Sequence, residues 1–252
     1  MKYVLIFLFS ILVLSCDSVL DQEPRDRFSE TLVWDDINLA DNYLKGCYNN
    51  LNIKEGWSGI MYLDAISDNI FFIHVFGTDI YLEGNLTPSN QGPFQGDFYP
   101  QLNWSLQYQN IYSINTFIKN IDNVLLNSTA DVQERVNVMK GEALFLRAYC
   151  YANLAMAYGG VPLLSEPLVL GEDYSEIVRS SFEETINFIV EDCNAAAGLL
   201  KGKSEMEMGR ATKGAAMALK SRLLLFAASD LTSDGDVESD LVGYVNPNRS
   251  QL

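Results

Sequence analysis

Apolar side chains recur every three or four positions through most of the chain after residue 34, with polar residues between them. One face of an α-helix has this spacing, because the helix completes a turn every 3.6 residues. The pattern predicts five helices, at about residues 35–52, 104–126, 130–158, 180–200 and 213–229. The sequence therefore indicates a mainly α protein.

Two helix ends carry strong local signals. Gly159 and Gly160, followed by Pro162, predict that the third helix stops there. Glycine readily adopts the left-handed conformation that ends a helix, and proline cannot continue one. Thr212 stands directly before the fifth helix, where its hydroxyl can accept a hydrogen bond from the first turn.

The last four helices resemble two successive antiparallel pairs with small residues at their contacts. Ala148, Ala152 and Ala155 lie beside the apolar seam of the third helix and would let a neighbouring helix approach closely. Pairs of this kind predict a tetratricopeptide-like array. The full repeat signature is absent from both pairs, so this prediction depends on helix order and alanine-rich contacts.

Residues 56–103 interrupt the helical pattern with a long segment rich in aromatic residues, glycine and proline. A strand-like apolar run lies within it at residues 69–76. Long irregular segments inside a domain usually carry function or are disordered, and the aromatic content argues against disorder. The predicted fold class is thus mainly α, with tetratricopeptide-like helix pairs and a long aromatic-rich irregular insertion.

The chain begins with the pattern of an exported lipoprotein. Lys2 precedes the apolar run at residues 3–14, which is too short to span a bilayer and is typical of a secretory signal. The run ends Leu14-Ser15-Cys16, similar to a bacterial lipobox, so we expect cleavage before Cys16 and lipid on its thiol. The alternative is an ordinary signal with a chance cysteine.

These features divide the chain into an export signal, a tether and a helical region. The helical region contains a loop insertion and a set of helix pairs. The predicted limits are 1–15 for the signal, 16–34 for the lipidated tether, 35–252 for the helical region, 56–103 for its loop insertion and 104–230 for its helix pairs.

The net charge of −16 restricts the partners. An acidic protein repels nucleic acid and anionic lipid surfaces, and no run of Lys or Arg opposes this. An uncharged ligand such as a sugar or a peptide stays compatible with the charge. The acidity can equally be a plain solubility feature.

Cysteines and arginines inside the helices are interpreted as structural. Cys47, Cys150 and Cys193 stand among apolar residues without a C-x-x-C pair, which favours buried free thiols over a Cys150–Cys193 bridge. Arg147 and Arg222 lie in apolar helix sequences, so we expect both to be buried and paired. The same helix as Arg147 offers Glu142 as a partner.

Five short segments stand in a fixed order behind the lipobox. They read LDQEP at 20–24, SDN at 67–69, a W-x3-Y-x2-I-x3-N-x2-I pattern at 104–118, GEALFLRAY at 141–149 with YGGVPL at 158–163, and ATKGAAMALKSR at 211–222. Together they resemble the SusD/RagB family, and the 141–149 segment with the stop at 158–163 is the most recognisable.

The resemblance implies a helical scaffold whose loops carry the ligand site. It implies a lipid-anchored protein on the outer surface of the outer membrane of Bacteroidetes-type cells. The implied partner is a SusC-like TonB-dependent transporter, over which the protein acts as a lid and to which it presents an oligosaccharide or a peptide. Members are commonly about twice as long, so we expect this chain to be a fragment or a truncated product.

The ligand site is expected in the loop insertion, where aromatic rings could stack on sugars and polar side chains could bind hydroxyl groups. Tyr81 is the first candidate, because Gly77-Thr78-Asp79-Ile80-Tyr81 stands where some relatives hold an aromatic residue. The alternative is that the rings of the loop fill a small core beneath it. For Trp104, which begins a helix, packing is the expected role. The remaining candidates are Trp57, Asp79, Asn85, Phe94, Phe98 and Tyr99.

No catalytic, cofactor or metal motif is found, so the sequence predicts a binding protein and not an enzyme. His74 is the single histidine, which leaves no companion for a zinc site or a catalytic triad. A glycoside hydrolase is one alternative, since acidic residues are abundant, but no motif sets two of them across a cleft. A helical-repeat adaptor that binds only protein is the other.

Overall fold

A computed structural model describes residues 30–51, 67, 78–85, 87, 90, 100–127, 129–232 and 240–243. The predicted signal, the lipidated tether with Cys16 and the strand-like run at 69–76 lie outside these residues. So do most of the residues of the loop insertion.

The described part of the chain is built from helices, which confirms the predicted mainly α class. It contains no strand, only an isolated bridge between Thr87 and Asn90. Short helices at Glu30–Val33 and Thr78–Leu82 and 3-10 turns at Pro100–Leu102, Ile121–Asn127 and Asp230–Thr232 accompany the long helices. The five long helices are α1 (Ile37–Asn50), α2 (Trp104–Asn120), α3 (Ala130–Tyr158), α4 (Phe182–Leu199) and α5 (Lys213–Ala227).

Helix α3 is the centre of the bundle, because it packs against all four other long helices. Leu146, Cys150, Tyr151 and Leu154 are fully buried in it. Its C-terminal half is covered on nearly every side, as expected of a helix surrounded by neighbours. No helix among the described residues is long and apolar enough to cross a membrane.

Four of the five long helices begin with a side-chain cap, and α3 is the exception. Thr212 caps α5 as predicted, by accepting a hydrogen bond from the backbone N–H of Ala215. Ser181 caps α4 in a reciprocal pair with Glu184. The Ser181 hydroxyl accepts from the Glu184 N–H at 3.1 Å, and the Glu184 carboxylate accepts from the Ser181 N–H at 2.8 Å. These bonds satisfy donors that the first turn of a helix otherwise leaves unpaired.

The Ser181→Ala variant is expected to lose about 1 kcal/mol of unfolding free energy, because it removes the hydroxyl that accepts from the Glu184 N–H. Urea unfolding followed by circular dichroism measures the change. Thr129→Ala is the matched control, since Thr129 begins α3 without a side-chain cap bond and its replacement should change stability little. Equal losses for the two variants would contradict the role given to the cap.

The predicted helix at 104–126 divides into two elements. Its α-helical part ends at Asn120, and the chain continues as a 3-10 turn that keeps Ile121 buried. In α5 the buried residues are Ala216, Leu223 and Ala227, and Leu219 is half-buried. The predicted burial of Arg222 is wrong, because its side chain is exposed.

A short backbone segment after α5 returns to the corner between α3 and α4. The Gly160 N–H donates to the Leu241 carbonyl at 2.5 Å, and the Phe182 N–H donates to the Asp240 carbonyl at 2.7 Å. We call these two bonds the backbone clasp. They join the end of α3 and the start of α4 to a segment far away in sequence.

The described thiols agree with the sequence interpretation. Cys47, Cys150 and Cys193 are buried and free, so the alternative Cys150–Cys193 bridge is not formed. Burial raises the pKa of Cys47 to about 12 and that of Cys193 to about 11. Thiols protonated to this degree and shielded from solvent are poor nucleophiles.

Candidate functional site

Three aromatic side chains form a row along α2 where the loop insertion rejoins the bundle. Trp104, Tyr108 and Tyr112 are spaced four residues apart, so they lie on one side of the helix. They line an open depression of about 600 Å³ together with Ser105, Gln109 and Ser113. We call this surface the aromatic face.

The rings at the start of the aromatic face are held by the neighbouring structure. The Tyr108 hydroxyl donates to the Pro162 carbonyl at 2.8 Å, and burial raises the pKa of this phenol. The Trp104 ring lies 5.0 Å from that of Tyr108 and meets the edge of Tyr158 at 5.1 Å. The Tyr158 hydroxyl in turn donates to the Leu102 carbonyl at 2.6 Å, which ties the end of the insertion to α3.

Tyr112 is the most accessible ring of the aromatic face, with 51% of its surface exposed. The residues that line the depression include amide and hydroxyl groups but no charged side chain. Flat apolar rings beside neutral hydrogen-bonding groups suit a ligand that has both apolar faces and hydroxyl groups. The aromatic face can therefore bind a neutral, polyhydroxylated molecule.

The structure describes only part of the site predicted from the sequence. Tyr81 is half-buried in the short helix Thr78–Leu82, which also contains the backbone of Asp79. Asn85 follows on the surface, where its side-chain amide donates to Glu83 at 3.0 Å. These three predicted residues thus lie within one short segment. The other predicted ligand residues, Trp57, Phe94, Phe98 and Tyr99, lie outside the described residues.

The sequence interpretation does not identify the outermost ring of the aromatic face. It predicts that Trp104 packs, and this ring does contact Tyr108 and Tyr158. It assigns no role to Tyr112, which falls outside the buried seam of α2. The four-residue spacing of Trp104, Tyr108 and Tyr112 places the three rings on one side of the helix, but it does not tell which ring is accessible.

A buried ion pair behind the aromatic face connects α3 to α4. Arg147 binds Asp192 through two hydrogen bonds of 2.8 Å, and its guanidinium lies 5.1 Å from the Phe188 ring centre. The same guanidinium donates to Asn115 at 2.9 Å and to the Ser165 carbonyl at 3.3 Å. Arg147 is thus buried and paired as predicted, but its partner is Asp192 and not Glu142.

Glu142 belongs to a second buried cluster, between α1, α3 and the loop before α5. Its carboxylate accepts from the Tyr48 hydroxyl at 2.7 Å and from Arg210 at 3.2 Å. Arg210 also donates to Asp41 at 2.5 Å. Burial raises the pKa of Glu142 against the opposing effects of Tyr48 and Arg210. At Asp41 burial also acts to raise the pKa, but hydrogen bonds from Lys45 and Arg210 outweigh it and the pKa is lowered.

Both buried clusters have the properties of structural cross-links. Their charged groups face partners inside the protein, and each cluster joins elements that are distant in sequence. Among the described residues, no group of three or more His, Cys, Asp or Glu side chains is arranged to hold a metal ion. We take the aromatic face as the candidate binding surface, because its lining combines an exposed ring with neutral hydrogen-bonding groups.

A family model described as "Starch-binding associating with outer membrane", of the SusD-like type, matches residues 20–225. A SusD-like protein of Formosa agariphila is 25% identical in an alignment 238 residues long that covers 87% of this chain and 42% of that protein. The chain thus spans about two fifths of the length of that relative.

Solved structures show the same similarity. A SusD-like protein from Bacteroides fragilis is 28% identical, with a TM-score of 0.58 over 82% of this chain and 38% of that one. A SusD-like carbohydrate binding protein from the same species is 27% identical, with a TM-score of 0.59 over 77% of this chain and 38% of that one. The structural matches therefore cover about four fifths of this chain and less than two fifths of each of those structures.

Proposed function

We propose that this chain, which belongs to the SusD-like family, binds a neutral oligosaccharide at the outer membrane. It then presents the oligosaccharide to a SusC-like TonB-dependent transporter. The family description and the carbohydrate-binding relative support the ligand class. The lipobox-like Leu14-Ser15-Cys16 supports attachment through lipid on Cys16, with the protein facing the cell surface.

The observation that carries the proposal is the aromatic face with its uncharged lining. We infer that a sugar ring stacks on Tyr112, beside Trp104 and Tyr108. Gln109 and Ser105 offer neutral donors and acceptors for sugar hydroxyl groups. We assign Tyr81 with Asp79, Asn85 and the loop residues Trp57, Phe94, Phe98 and Tyr99 to the same ligand site.

An oligosaccharide fits this surface better than a peptide. A short peptide carries a charged terminus at each end, and these groups favour ionic partners. The aromatic face offers none among the residues that line its depression. A neutral sugar needs only ring faces and hydrogen-bonding groups, so it leaves no charge uncompensated.

Binding without catalysis is the expected activity. Asp41 and Glu142, two acidic residues that share a cluster, are both engaged by Arg210. A glycosidase instead needs two carboxyl groups set apart across an open cleft. We therefore propose that this chain holds its glycan intact.

The Tyr112→Ala variant is expected to weaken binding of maltoheptaose about tenfold, because one stacking ring contributes on the order of 1–2 kcal/mol at a binding surface. Tyr81→Ala, measured in parallel, should lose affinity as well if the two segments share one ligand. Isothermal titration calorimetry gives the dissociation constants. Since Tyr112 is half exposed, its removal leaves the core intact.

Leu225→Ala serves as the control for this experiment, since Leu225 is an exposed apolar residue of α5 that does not line the depression. Its affinity should equal that of the unmodified chain. Retention of full affinity by Tyr112→Ala would rule out the aromatic face as the site. New reducing ends after incubation of the protein with soluble starch would contradict binding without cleavage.

A further inference from the structure

The chain leaves α3 as an irregular segment that runs beside α2. We call residues 162–166 the exit segment. At its start, the Pro162 carbonyl accepts from the Tyr108 hydroxyl at 2.8 Å. At its end, the Glu166 side chain pairs with Lys119, near the last turn of α2, at 3.3 Å. The exit segment therefore follows α2 in the same direction, from the aromatic face toward the C-terminal end of the helix.

Asn115 holds the middle of the exit segment through both ends of its side-chain amide. This side chain is buried, with only 1% of its surface exposed. Its amide nitrogen donates to the Leu164 carbonyl at 2.8 Å and has the Glu166 carbonyl at 3.4 Å. Its amide oxygen accepts from Arg147 at 2.9 Å. Because donors and acceptor are all engaged, the amide has one satisfied orientation and joins α2 to the exit segment with a fixed geometry.

Helix α3 supplies further partners to the same stretch of backbone. The Tyr151 hydroxyl accepts from the Leu164 N–H at 2.7 Å and lies 3.3 Å from the Leu164 carbonyl. Arg147 donates to the Ser165 carbonyl at 3.3 Å. Side chains of two helices thus satisfy backbone groups that a neighbouring strand would satisfy in a sheet. The position of the exit segment is set by these side chains.

The exit segment acts on the aromatic face through the bond between Pro162 and Tyr108. The Tyr108 ring lies 5.0 Å from Trp104 and meets Tyr151 edge-on at 6.4 Å. A shift of the exit segment would move the acceptor that orients the Tyr108 phenol, and the contact with Trp104 would change with it. Asn115 lies on the same side of α2 but does not line the depression.

We propose that Asn115 is a positioning residue of the glycan site, because it holds the exit segment at Leu164 and so keeps the Pro162 carbonyl where it orients Tyr108. This inference rests on the proposed function, since that function makes the aromatic face a ligand site. Rings that already have their binding arrangement lose less entropy when a ligand binds, so affinity depends on the residues that support them. Asn115 acts through Tyr108 and does not touch the sugar.

The first test compares the maltoheptaose affinity of full-length variants by isothermal titration calorimetry. Asn115→Asp keeps the size of the side chain and an acceptor for Arg147, but it removes the donor to Leu164. We expect its dissociation constant to rise about fivefold. Asn115→Leu lacks the donor and adds no charge, so it should show a similar loss and replaces Asn115→Asp if that variant does not fold.

A double-mutant cycle separates positioning from a general structural role. Tyr108→Phe keeps the ring but removes its bond to the Pro162 carbonyl, and it should weaken binding by a similar factor. Because Asn115 acts through this bond, the double variant Asn115→Asp, Tyr108→Phe should bind like Tyr108→Phe alone. Additive losses would overturn the positioning role, and so would full affinity of the folded Asn115 variants.

Tyr48→Phe is the matched control, because it also removes a tyrosine hydroxyl that joins distant elements. This hydroxyl donates to Glu142 at 2.7 Å and accepts from the Ala211 N–H at 2.9 Å, within the second buried cluster. Tyr48→Phe should lower stability in urea unfolding and leave the maltoheptaose affinity unchanged. An equal loss of affinity in Tyr48→Phe would show that reduced stability, and not the exit segment, weakens binding.

A measurement without glycan distinguishes this inference from the proposed function. In ¹H–¹⁵N spectra, the indole signal of Trp104, assigned by its loss in Trp104→Phe, should shift in Asn115→Asp and in Tyr108→Phe. The indole signal of Trp34, which packs against Tyr43 and Phe117, should stay in place. If the unmodified chain did not bind maltoheptaose, the glycan function would fail, and the Trp104 signal would still test whether Asn115 orients the rings. An unchanged Trp104 signal would overturn the positioning role.

Discussion

Arg147→Ala is expected to lower the free energy of unfolding by about 3–5 kcal/mol, a large part of the stability of a typical domain. The change removes both hydrogen bonds to Asp192 and leaves that buried carboxylate without its cation. It also removes the donors to Asn115 and to the Ser165 carbonyl, so the loop after α3 loses a support. Urea unfolding monitored by circular dichroism gives the value.

Arg222→Ala provides the control for the buried ion pair. Arg222 is an arginine in a helix like Arg147, but it is exposed, so its removal should change the free energy by no more than about 0.5 kcal/mol. The double variant Arg147→Met, Asp192→Leu should recover part of the loss, because no unpaired charge remains. The same unfolding midpoint for Arg147→Ala and Arg222→Ala would show that the ion pair does not support the fold.

Gly159→Ala is expected to lower the free energy of unfolding by about 2–5 kcal/mol, for two reasons. Gly159 has φ of 75° and ψ of −135°, a conformation that residues with a Cβ atom rarely adopt. A Cβ atom at this position would also lie 2.0 Å from the Leu241 carbonyl oxygen, inside the region of the backbone clasp. Both effects should appear in thermal and urea unfolding.

Gly171→Ala separates the two contributions. Gly171 also has a positive φ, of 92°, but an added Cβ would meet no atom within 4 Å. This variant should therefore show only the conformational part of the loss, about 1–2 kcal/mol. If Gly159→Ala were no more destabilising than Gly171→Ala, close contact with Leu241 would have no part in stability.

The sequence predicts the helices well because the relevant signals are local. The limits of α3 agree with the prediction at both ends, since Gly159 follows its last residue. Thr212 caps α5 as expected. The prediction extends α2 too far because a 3-10 turn keeps the same side chains inward over a few residues, so the apolar pattern continues past the end of the α-helix.

Partners of buried charges could not be predicted in the same way. Arg147 and Glu142 share a helix, which suggests a pair, but Arg147 binds Asp192 on α4 and Glu142 binds Arg210. Such choices depend on how helices pack. The burial of Arg222 also could not be predicted from the apolar residues around it. Neighbouring residues of a helix point about 100° apart, so Leu223 is buried while Arg222 faces solvent.

The sequence predicts a ligand site within the insertion at 56–103, whereas the aromatic face lies on α2, directly after that insertion. Composition leads to the aromatic insertion, and the described part of that insertion has Tyr81 and Asn85 on one short segment. Tyr112 becomes a candidate only once its exposure is known, because helical spacing alone does not distinguish an accessible ring from a packed one. Its assignment as a ligand residue, like that of Tyr81, stays a prediction.

The backbone clasp has a consequence for the order of folding. Its two hydrogen bonds join positions on either side of α4 and α5, so forming them early would close a long, flexible ring of chain. Ring closure is entropically unfavourable and grows more so with the number of residues enclosed. Once α4 and α5 have packed onto α3, most of that entropy has already been lost, so we expect these two contacts to form after the helices have packed.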